Sequence, residues 1–163
     1  AAYRTEFSPI DLRELVEECA DLHLPDTGET ENPWELEVTG PEEVPVMGNS
    51  VALRELFSNL LSNAVDAMPD GGRIAMEIMD DGDAWRVEVR DEGPGVPPDA
   101  RESIFEPFFS SGPGSGMGLG LNISRRVARR HDGELFLADT EDDGACFVVE
   151  LPRKNDREAQ DEA

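Results

Sequence analysis

The sequence S-V-A-L-R-E-L-F-S-N-L-L-S-N-A-V-D-A-M, at residues 50–68, carries the strongest helical pattern in the chain. Its apolar side chains recur every three or four residues, which predicts a long helix with one face against a core. The positions on this face are Leu53, Leu56, Phe57, Leu60, Leu61, Ala64, Val65 and Met68. The sequence G-N-S at residues 48–50 supplies a cap, and the turn residues 69–72 end the helix.

Polar side chains occupy a second face of the same helix. Glu55, Asn59, Asn63 and Asp66 follow one another at intervals of three and four residues, so they share one face. Asparagine competes for backbone hydrogen bonds inside a helix, and two of them one turn apart require a reason. A solvated polar face is one explanation. The other is that an asparagine carbonyl oxygen holds a divalent cation that also contacts phosphate groups.

Further helices and strands are predicted on both sides of this helix. Ser8 as cap and Pro9 at the first helical position predict an earlier helix that runs to about His23. A later helix is predicted at about residues 119–130. Short apolar or alternating runs predict strands at residues 34–39, 44–47, 74–79, 85–89, 135–138 and 146–151. The charged tail at residues 153–163 is predicted to be disordered.

An acidic and glycine-rich sequence, D-E-G-P-G-V-P, follows the strand predicted at residues 85–89. Asp91 lies at the end of this strand, and Gly93 and Gly95 are free to adopt conformations that other residues resist. A carboxylate in this position accepts a hydrogen bond from an exocyclic amine, while glycine backbone approaches a flat ring closely. Taken alone, the pattern is equally that of a plain turn.

Glycines alternate with other residues in G-S-G-M-G-L-G-L, residues 114–121, just before the last predicted helix. Backbone N–H groups in such a run, with a helix N-terminus behind them, favour anionic oxygens. The spacing matches neither the Walker loop nor G-x-G-x-x-G, so the predicted phosphate cradle is of another type. A flexible linker is the alternative, and the apolar residues Met117, Leu119 and Leu121 argue against it.

The chain is strongly acidic, with 37 Asp and Glu against 14 Lys and Arg and a formal net charge of −23. Such a charge disfavours nucleic acid as a partner. A salt-rich cytoplasm and a genome that favours arginine over lysine both explain the composition.

Cys19 and Cys146 lack the spacing of a zinc site or a disulfide scaffold, and no apolar run reaches the length of a membrane span. The 163 residues are expected to form one cytoplasmic domain.

Four motifs, in order, resemble the sequence boxes of histidine kinase catalytic domains. N-L-L-S-N-A-V-D-A resembles the N box, D-E-G-P-G the G1 box, I-F-E-P-F-F the F box, and G-S-G-M-G-L-G-L-N-I-S the G2 box. The resemblance covers about residues 7–152, with residues 1–6 as the end of a linker, and extends to the ATPase superfamily that contains gyrase, Hsp90 and MutL. It implies the Bergerat fold, a two-layer α/β sandwich in which a mixed sheet of about five strands carries three helices on one face.

The resemblance also implies roles for individual residues in binding ATP and Mg²⁺. Asn63 corresponds to the magnesium ligand, Asn59 helps to hold the metal and phosphates, and Asp91 accepts the adenine amino hydrogen. Gly93 and Gly95 let the loop close on the base. The remaining nucleotide contacts are implied for Asp66, Phe105, Phe108, Ser115, Gly116, Met117, Gly118, Leu119 and Gly120. Among these, the phenylalanines anchor a mobile lid and the glycines cradle the phosphates.

One difference from gyrase-type relatives and two departures from the histidine kinase pattern bear on the activity. Gyrase-type relatives carry a glutamate at the position of Asn59, where it activates water, and an amide cannot take that proton. Glu55, one turn earlier, is a weaker candidate for assistance. The lid, at about residues 97–115, lacks a lysine that similar kinases often have. Neither His23 nor His131 fits the role of phosphoacceptor, so both are expected to be structural.

The resemblance therefore implies transfer of a phosphoryl group to a histidine on a separate dimerisation segment. Signalling to a response regulator would proceed through the full-length protein, and the isolated domain is expected to be monomeric. Two alternatives remain open at this point. An anti-sigma factor serine kinase of the same superfamily has a similar length and a similar S-G-M-G sequence, and a degenerate nucleotide-binding scaffold would explain the missing lysine.

Overall fold

The computed structural model of the protein describes residues 7–23, 33–107, 120–140 and 143–153. Its strands are β1 (Ser8–Asp11), β2 (Trp34–Thr39), β3 (Pro45–Gly48), β4 (Gly72–Asp80), β5 (Ala84–Asp91), β6 (Glu134–Leu137) and β7 (Cys146–Pro152). Its helices are α1 (Leu12–His23), α2 (Ser50–Ala67) and α3 (Gly120–Arg130), with a 3-10 helix at Ser103–Phe105. The predicted linker at residues 1–6 and the tail from residue 154 onward lie outside the described residues.

Five strands form a mixed sheet in the order β2-β4-β5-β7-β6. Strands β2 and β4 are parallel, and the other neighbours are antiparallel. Alternate side chains along the strands, such as Met76, Val87 and Val149, join apolar side chains of all three helices in one core. The fold is therefore the predicted two-layer α/β sandwich, with the three helices on one face of the sheet.

Buried side chains alternate along β5, and a carboxylate stands at the last position of this alternation. Trp85, Val87 and Val89 are buried at alternate positions on the face that the helices cover. Asp91 is the next residue in this alternation, at the end of the strand and opposite Ile74 of β4. Its side chain is therefore placed at the edge of the core, on the helix side of the sheet.

The start of the first helix differs from the prediction. Residues of β1 pair antiparallel with β3 outside the main sheet, so Ser8 is not a helix cap. Helix α1 begins at Leu12, and Asp11 caps it, because its Oδ1 accepts hydrogen bonds from the backbone N–H groups of Arg13 at 3.1 Å and Val44 at 3.0 Å. Pairing with β3 outweighs the local signal, since a residue before proline already favours extended backbone.

Helix α2 follows the prediction. Asn49 is its N-cap, and the Oδ1 of this residue accepts a hydrogen bond from the backbone N–H of Ala52 at 2.9 Å. The predicted apolar face is buried at Leu53, Leu56, Phe57, Leu60, Leu61, Ala64 and Met68, and Val65 is half-buried. Beyond the other end, the indole N–H of Trp34 donates to the carbonyl of Met68 at 2.8 Å. Both ends of α2 are therefore fixed, which gives its polar face a defined position.

His131 links the end of α3 to the start of α2. The ring is buried, with Nδ1 donating to the Val127 carbonyl at 2.8 Å and Nε2 accepting from the backbone N–H of Asn49 at 3.0 Å. These two partners specify a neutral ring with its proton on Nδ1. Phe7 stacks on the ring with centroids 4.6 Å apart. His131 thus has the structural role that the sequence predicted.

Acidification below about pH 6.5, the ordinary pKa of histidine, is expected to destabilise the fold through His131. Burial lowers the pKa of His131, although the Val127 carbonyl and the Asp132 carboxylate act in the opposite direction. The unfolded chain therefore takes up a proton at a pH where the folded chain does not. Stability is lost as the pH falls from the unfolded pKa toward the folded one. Urea unfolding at a series of pH values in this window measures the slope.

The slope is expected to disappear in His131→Ala, which is also less stable than the wild type at neutral pH. It is expected to persist in the matched variant His23→Ala, at the end of α1. An undiminished slope in His131→Ala would assign the acid sensitivity to other groups.

Candidate functional site

Asp91 uses one carboxylate oxygen for the protein and leaves the other available. Oδ1 accepts hydrogen bonds from the backbone N–H groups of Gly93 at 2.9 Å and Ala145 at 3.2 Å. Oδ2 accepts no hydrogen bond from the described residues. Burial raises the pKa of Asp91, and the two backbone hydrogen bonds only partly oppose the rise. The carboxylate is thus held in one orientation, with Oδ2 ready to accept a hydrogen bond from a ligand.

The start of β7 positions Asp91, a role that the sequence did not indicate. The backbone N–H of Asp91 donates to the carbonyl of Ala145 at 3.0 Å, in addition to the bond that Ala145 donates to Oδ1. Gly144 packs so closely that a Cβ there would lie 1.8 Å from the Asp91 carbonyl oxygen. By itself, the D-D-G sequence at residues 142–144 predicts only a turn. Its glycine is required because the chain passes directly over Asp91.

The glycines after Asp91 meet two different constraints. A Cβ at Gly93 would lie 2.9 Å from the carbonyl oxygen of Ala67, the last residue of α2. Gly95 has a φ of +75°, and a Cβ there would lie 2.5 Å from the carbonyl oxygen of Asp143. The loop after β5 therefore packs tightly between the end of α2 and the segment before β7. Larger residues at either position would push the loop away from Asp91.

Asn59 connects α2 to α3. Its amide Nδ2 donates to the carbonyl of Gly120 at 3.4 Å and to the hydroxyl of Ser124 at 3.2 Å. Ser124 is fully buried and was not singled out from the sequence. A Cβ at Gly120 would make an ordinary van der Waals contact with Asn59, at 3.6 Å from Asn59 Cγ. The structure therefore brings together two predicted site residues from different motifs, at the first turn of α3.

Asn63 lies one turn after Asn59 on α2 and is half-buried. It makes no side-chain hydrogen bond with the described residues. Glu55 and Asp66, the outer members of the same polar face, are exposed to solvent. In the described part of the chain, no three His, Cys, Asp or Glu side chains form a metal-binding cluster. A cation at Asn63 would therefore take most of its ligands from water and from a bound anion, a set that suits Mg²⁺.

Phe105 anchors the described part of the predicted lid. Its ring is half-buried and meets Phe147 of β7 edge to face, with centroids 6.4 Å apart. The guanidinium of Arg125 lies over the same ring at 4.6 Å from its centroid. The neighbouring Ile104 is buried in the core. The remaining predicted lid and cradle residues, Phe108, Ser115, Gly116, Met117, Gly118 and Leu119, lie outside the described residues.

The fold and the site together define a class of protein, an α/β sandwich domain whose candidate site lies between α2, α3 and the end of β5. Residues 48–155 match the model of the histidine kinase-, DNA gyrase B-, and HSP90-like ATPase family. The chain belongs to this family. Membership of this family implies that the domain binds ATP. The family also agrees with the fold that the sequence predicted.

Several sensor histidine kinases are similar to this chain. The sensor histidine kinase GtrS of Pseudomonas aeruginosa is 37% identical over 145 residues, which cover 88% of this chain and 28% of GtrS. The mycobacterial sensor histidine kinase MprB is similar in structure, with a TM-score of 0.78 and 30% identity over 92% of this chain and 99% of that one. Full-length ShkA in complex with AMPPNP has a TM-score of 0.77 and 30% identity, covering 96% of this chain and 33% of ShkA.

The chain spans less than a third of the length of GtrS. None of the helices in the described ranges is long and apolar enough to cross a membrane.

Proposed function

We propose that this chain is the ATP-binding catalytic domain of a sensor histidine kinase, with residues 7–152 as the domain proper. Its reaction would be transfer of the γ-phosphoryl group of ATP to a histidine on a separate dimerisation segment. The observation that carries the proposal is the orientation of Asp91, with Oδ1 held by two backbone donors and Oδ2 free of described partners. The sensor kinases GtrS and MprB support it by similarity.

Adenine would be recognised by Asp91. An ionised carboxylate oxygen accepts a hydrogen bond from an exocyclic amine, and Oδ2 is the oxygen left for that purpose. Gly93 and Gly95 keep the following loop close to Asp91, since a Cβ at Gly93 would lie 3.1 Å from Asp91 Oδ1. AMPPNP, an ATP analogue, is bound in the ShkA complex, and the similarity of this chain to ShkA supports an adenine nucleotide as ligand.

Asn63 would hold Mg²⁺ through its carbonyl oxygen, with Asn59 and Asp66 beside the metal and phosphates. Bound Mg²⁺ would neutralise part of the phosphate charge during transfer. Asn63 suits this role because its side chain makes no hydrogen bond with the described residues. Glu55, exposed and two turns before Asn63, remains a weaker candidate for assistance in catalysis.

The phosphates would lie against the glycine-rich run that leads into α3. The proposed cradle consists of Ser115, Gly116, Met117, Gly118, Leu119 and Gly120. Backbone N–H groups and the positive end of the α3 dipole favour anionic oxygens at this point. Phe105 and Phe108 would anchor the lid on either side of Pro107. Because the lid lacks lysine, Mg²⁺ and backbone donors would carry most of the charge neutralisation.

Transfer to a protein side chain is favoured over hydrolysis by the chemistry of Asn59. An amide has no basic lone pair with which to take a proton from water near neutral pH. The amide of Asn59 is also engaged with Gly120 and Ser124, which keeps it from orienting a water molecule through Nδ2.

The phosphoacceptor helices of the parent kinase and a response regulator are the proposed partners, and the proposed location is the cytoplasm.

Incubating the parent protein with labelled Mg-ATP tests the acceptor. The expected product is a phosphoprotein that loses its label in acid and keeps it in alkali, as a phosphohistidine does. Acid-stable label would favour the serine kinase of the same superfamily instead. No label on a parent protein that carries its histidine, despite measurable ATP binding, would favour the degenerate scaffold.

A further inference from the structure

Helix α3 concentrates positive charge in an otherwise acidic chain. Of the 14 basic residues in the chain, four lie within residues 125–130, namely Arg125, Arg126, Arg129 and Arg130. They form two pairs of like charge one turn apart, an arrangement that destabilises a helix. The helix dipole favours cations in the last turn, which accounts for Arg129 and Arg130 but not for the other two. Negative charge from outside the helix would therefore stabilise this cluster.

The described part of the protein supplies this charge for only half of the cluster. Glu134 of β6 lies 3.1 Å from Arg125 and 3.3 Å from Arg129. Arg126 and Arg130 are exposed, and no carboxylate among the described residues forms an ion pair with either. Within the described part of the chain, these two guanidinium groups have no ion pair that an anionic partner would first have to break.

A groove runs beside these arginines. One cavity of about 450 Å³ is lined by Phe105, Pro107, Asn122 and the four arginines, and no carboxylate of the described residues lines it. A second cavity of about 460 Å³ shares Phe105 and Arg125 with the first and continues to Arg101, Glu102, Phe136 and Leu137. The two cavities together are called the α3 groove. It offers an aromatic and apolar floor beside a row of cations.

Asn122 adds a requirement for a hydrogen-bond donor. Its Oδ1 is buried and has no hydrogen-bond partner among the described residues, and Asn122 lines the part of the groove that holds the four arginines. A buried acceptor without a partner costs free energy, which a donor from a bound partner would recover. Peptide backbone supplies such N–H donors regularly along its length.

We propose that the α3 groove docks a carboxylate-rich segment of a partner protein. Carboxylates of the segment would pair with Arg126 and Arg130, because guanidinium groups bind carboxylates through paired hydrogen bonds. Apolar side chains of the segment would lie against Phe105 and Pro107. Asn122 Oδ1, which is buried in the unbound protein, would turn toward the groove to accept a backbone N–H of the segment. The groove shares Phe105 with the proposed nucleotide site, but none of the four arginines belongs to that site, so the proposal goes beyond the nucleotide-binding function.

The net negative charge of the chain favours a protein segment over nucleic acid or an anionic membrane as the occupant of the α3 groove. Nucleic acid and anionic membranes extend far beyond the groove, and a chain with a net charge of −23 would repel them over most of its surface. A protein partner needs negative charge only where it meets α3.

The test uses fluorescently labelled hexaglutamate with blocked ends, titrated with the protein at low ionic strength and followed by fluorescence anisotropy. Saturable binding to the wild type is expected. The double variant Arg126→Glu/Arg130→Glu should weaken it by at least about tenfold, because two attractive contacts become repulsive. The matched control Arg54→Glu/Arg73→Glu makes the same charge change at exposed sites on α2 and β4 and should alter affinity by less than about twofold.

Three results would overturn the proposal: no hexaglutamate binding by the wild type, an equal loss of binding in both double variants, or tighter binding of hexathymidylate or phosphatidylserine vesicles that depends on Arg126 and Arg130. ATP affinity is expected to stay the same in Arg126→Glu/Arg130→Glu. Loss of hexaglutamate binding with normal ATP binding therefore separates this proposal from the proposed nucleotide site.

Discussion

Replacing Asp91 with asparagine is expected to weaken ATP binding by about tenfold or more, because a hydrogen bond to a charged group contributes roughly 1.5 to 3 kcal/mol. Asparagine retains Oδ1, which keeps the hydrogen bonds from Gly93 and Ala145. It places an NH₂ group where Oδ2 stood, so a donor would face the adenine amino group. The substitution therefore removes recognition of the base while preserving the backbone contacts that shape the loop.

The same substitution is expected to leave the nucleotide-free domain as stable as the wild type at neutral pH, or more stable. Burial raises the pKa of Asp91 above that of an unfolded aspartate. Any stability gained from this group is present below the unfolded pKa and is lost as the pH rises through the folded pKa. At neutral pH the ionised carboxylate therefore costs stability, and an uncharged amide removes the cost.

Calorimetric titration with Mg-ATP and urea unfolding without nucleotide check the two parts of this prediction. Asp139→Asn is the matched control, because its carboxylate is 99% exposed and pairs only with Arg101 among the described residues. The control should bind ATP like the wild type. Unchanged affinity in Asp91→Asn would refute the adenine assignment, and a large loss of stability would show that the carboxylate is needed for folding.

Replacing Asn63 with alanine is expected to remove the magnesium dependence of nucleotide binding. Loss of a ligand to the metal should lower affinity for Mg-ATP by at least about tenfold, since even outer-shell changes cost roughly 10- to 100-fold in metal affinity. The fold should be little affected, because Asn63 makes no side-chain hydrogen bond with the described residues and alanine is a better helix former.

Titration of Asn63→Ala with ATP, with Mg²⁺ and with EDTA, measures this effect. The matched control is Ser62→Ala, on the same turn of α2 and likewise half-buried. The control should keep the difference between the two titrations that the wild type shows. A full magnesium response in Asn63→Ala would assign the metal to another residue.

Periodicity was sufficient to predict most of the fold. The apolar spacing of α2 fixes its length and buried face, and alternation fixes the hairpin of β4 and β5. The start of α1 could not be predicted in the same way. Ser8 and Pro9 carry a local helix signal, and only the presence of β3 as a partner makes them a strand. A local signal does not reveal a pairing with residues more than 30 positions away.

The candidate site, like the fold, could be predicted from the sequence only in part. Asp91, Gly93 and Gly95 belong to one short motif, so the sequence placed them together. Ala145, which orients Asp91, is 54 residues away and belongs to a turn that resembles many others. Ser124 is the last residue of the quoted G2 sequence, but its hydrogen bond with Asn59, 65 residues away, could not be predicted from that motif. Residues that position a site are therefore harder to predict than residues that form its motif.

Calorimetric titration of this chain with ATP, with and without Mg²⁺ and at both low and molar salt, tests the central claim most directly. A single nucleotide bound with clear dependence on Mg²⁺ is the predicted result, and the salt series separates any effect of the large negative charge from the site itself. Absence of binding at both salt concentrations would contradict an ATP site between α2, α3 and Asp91.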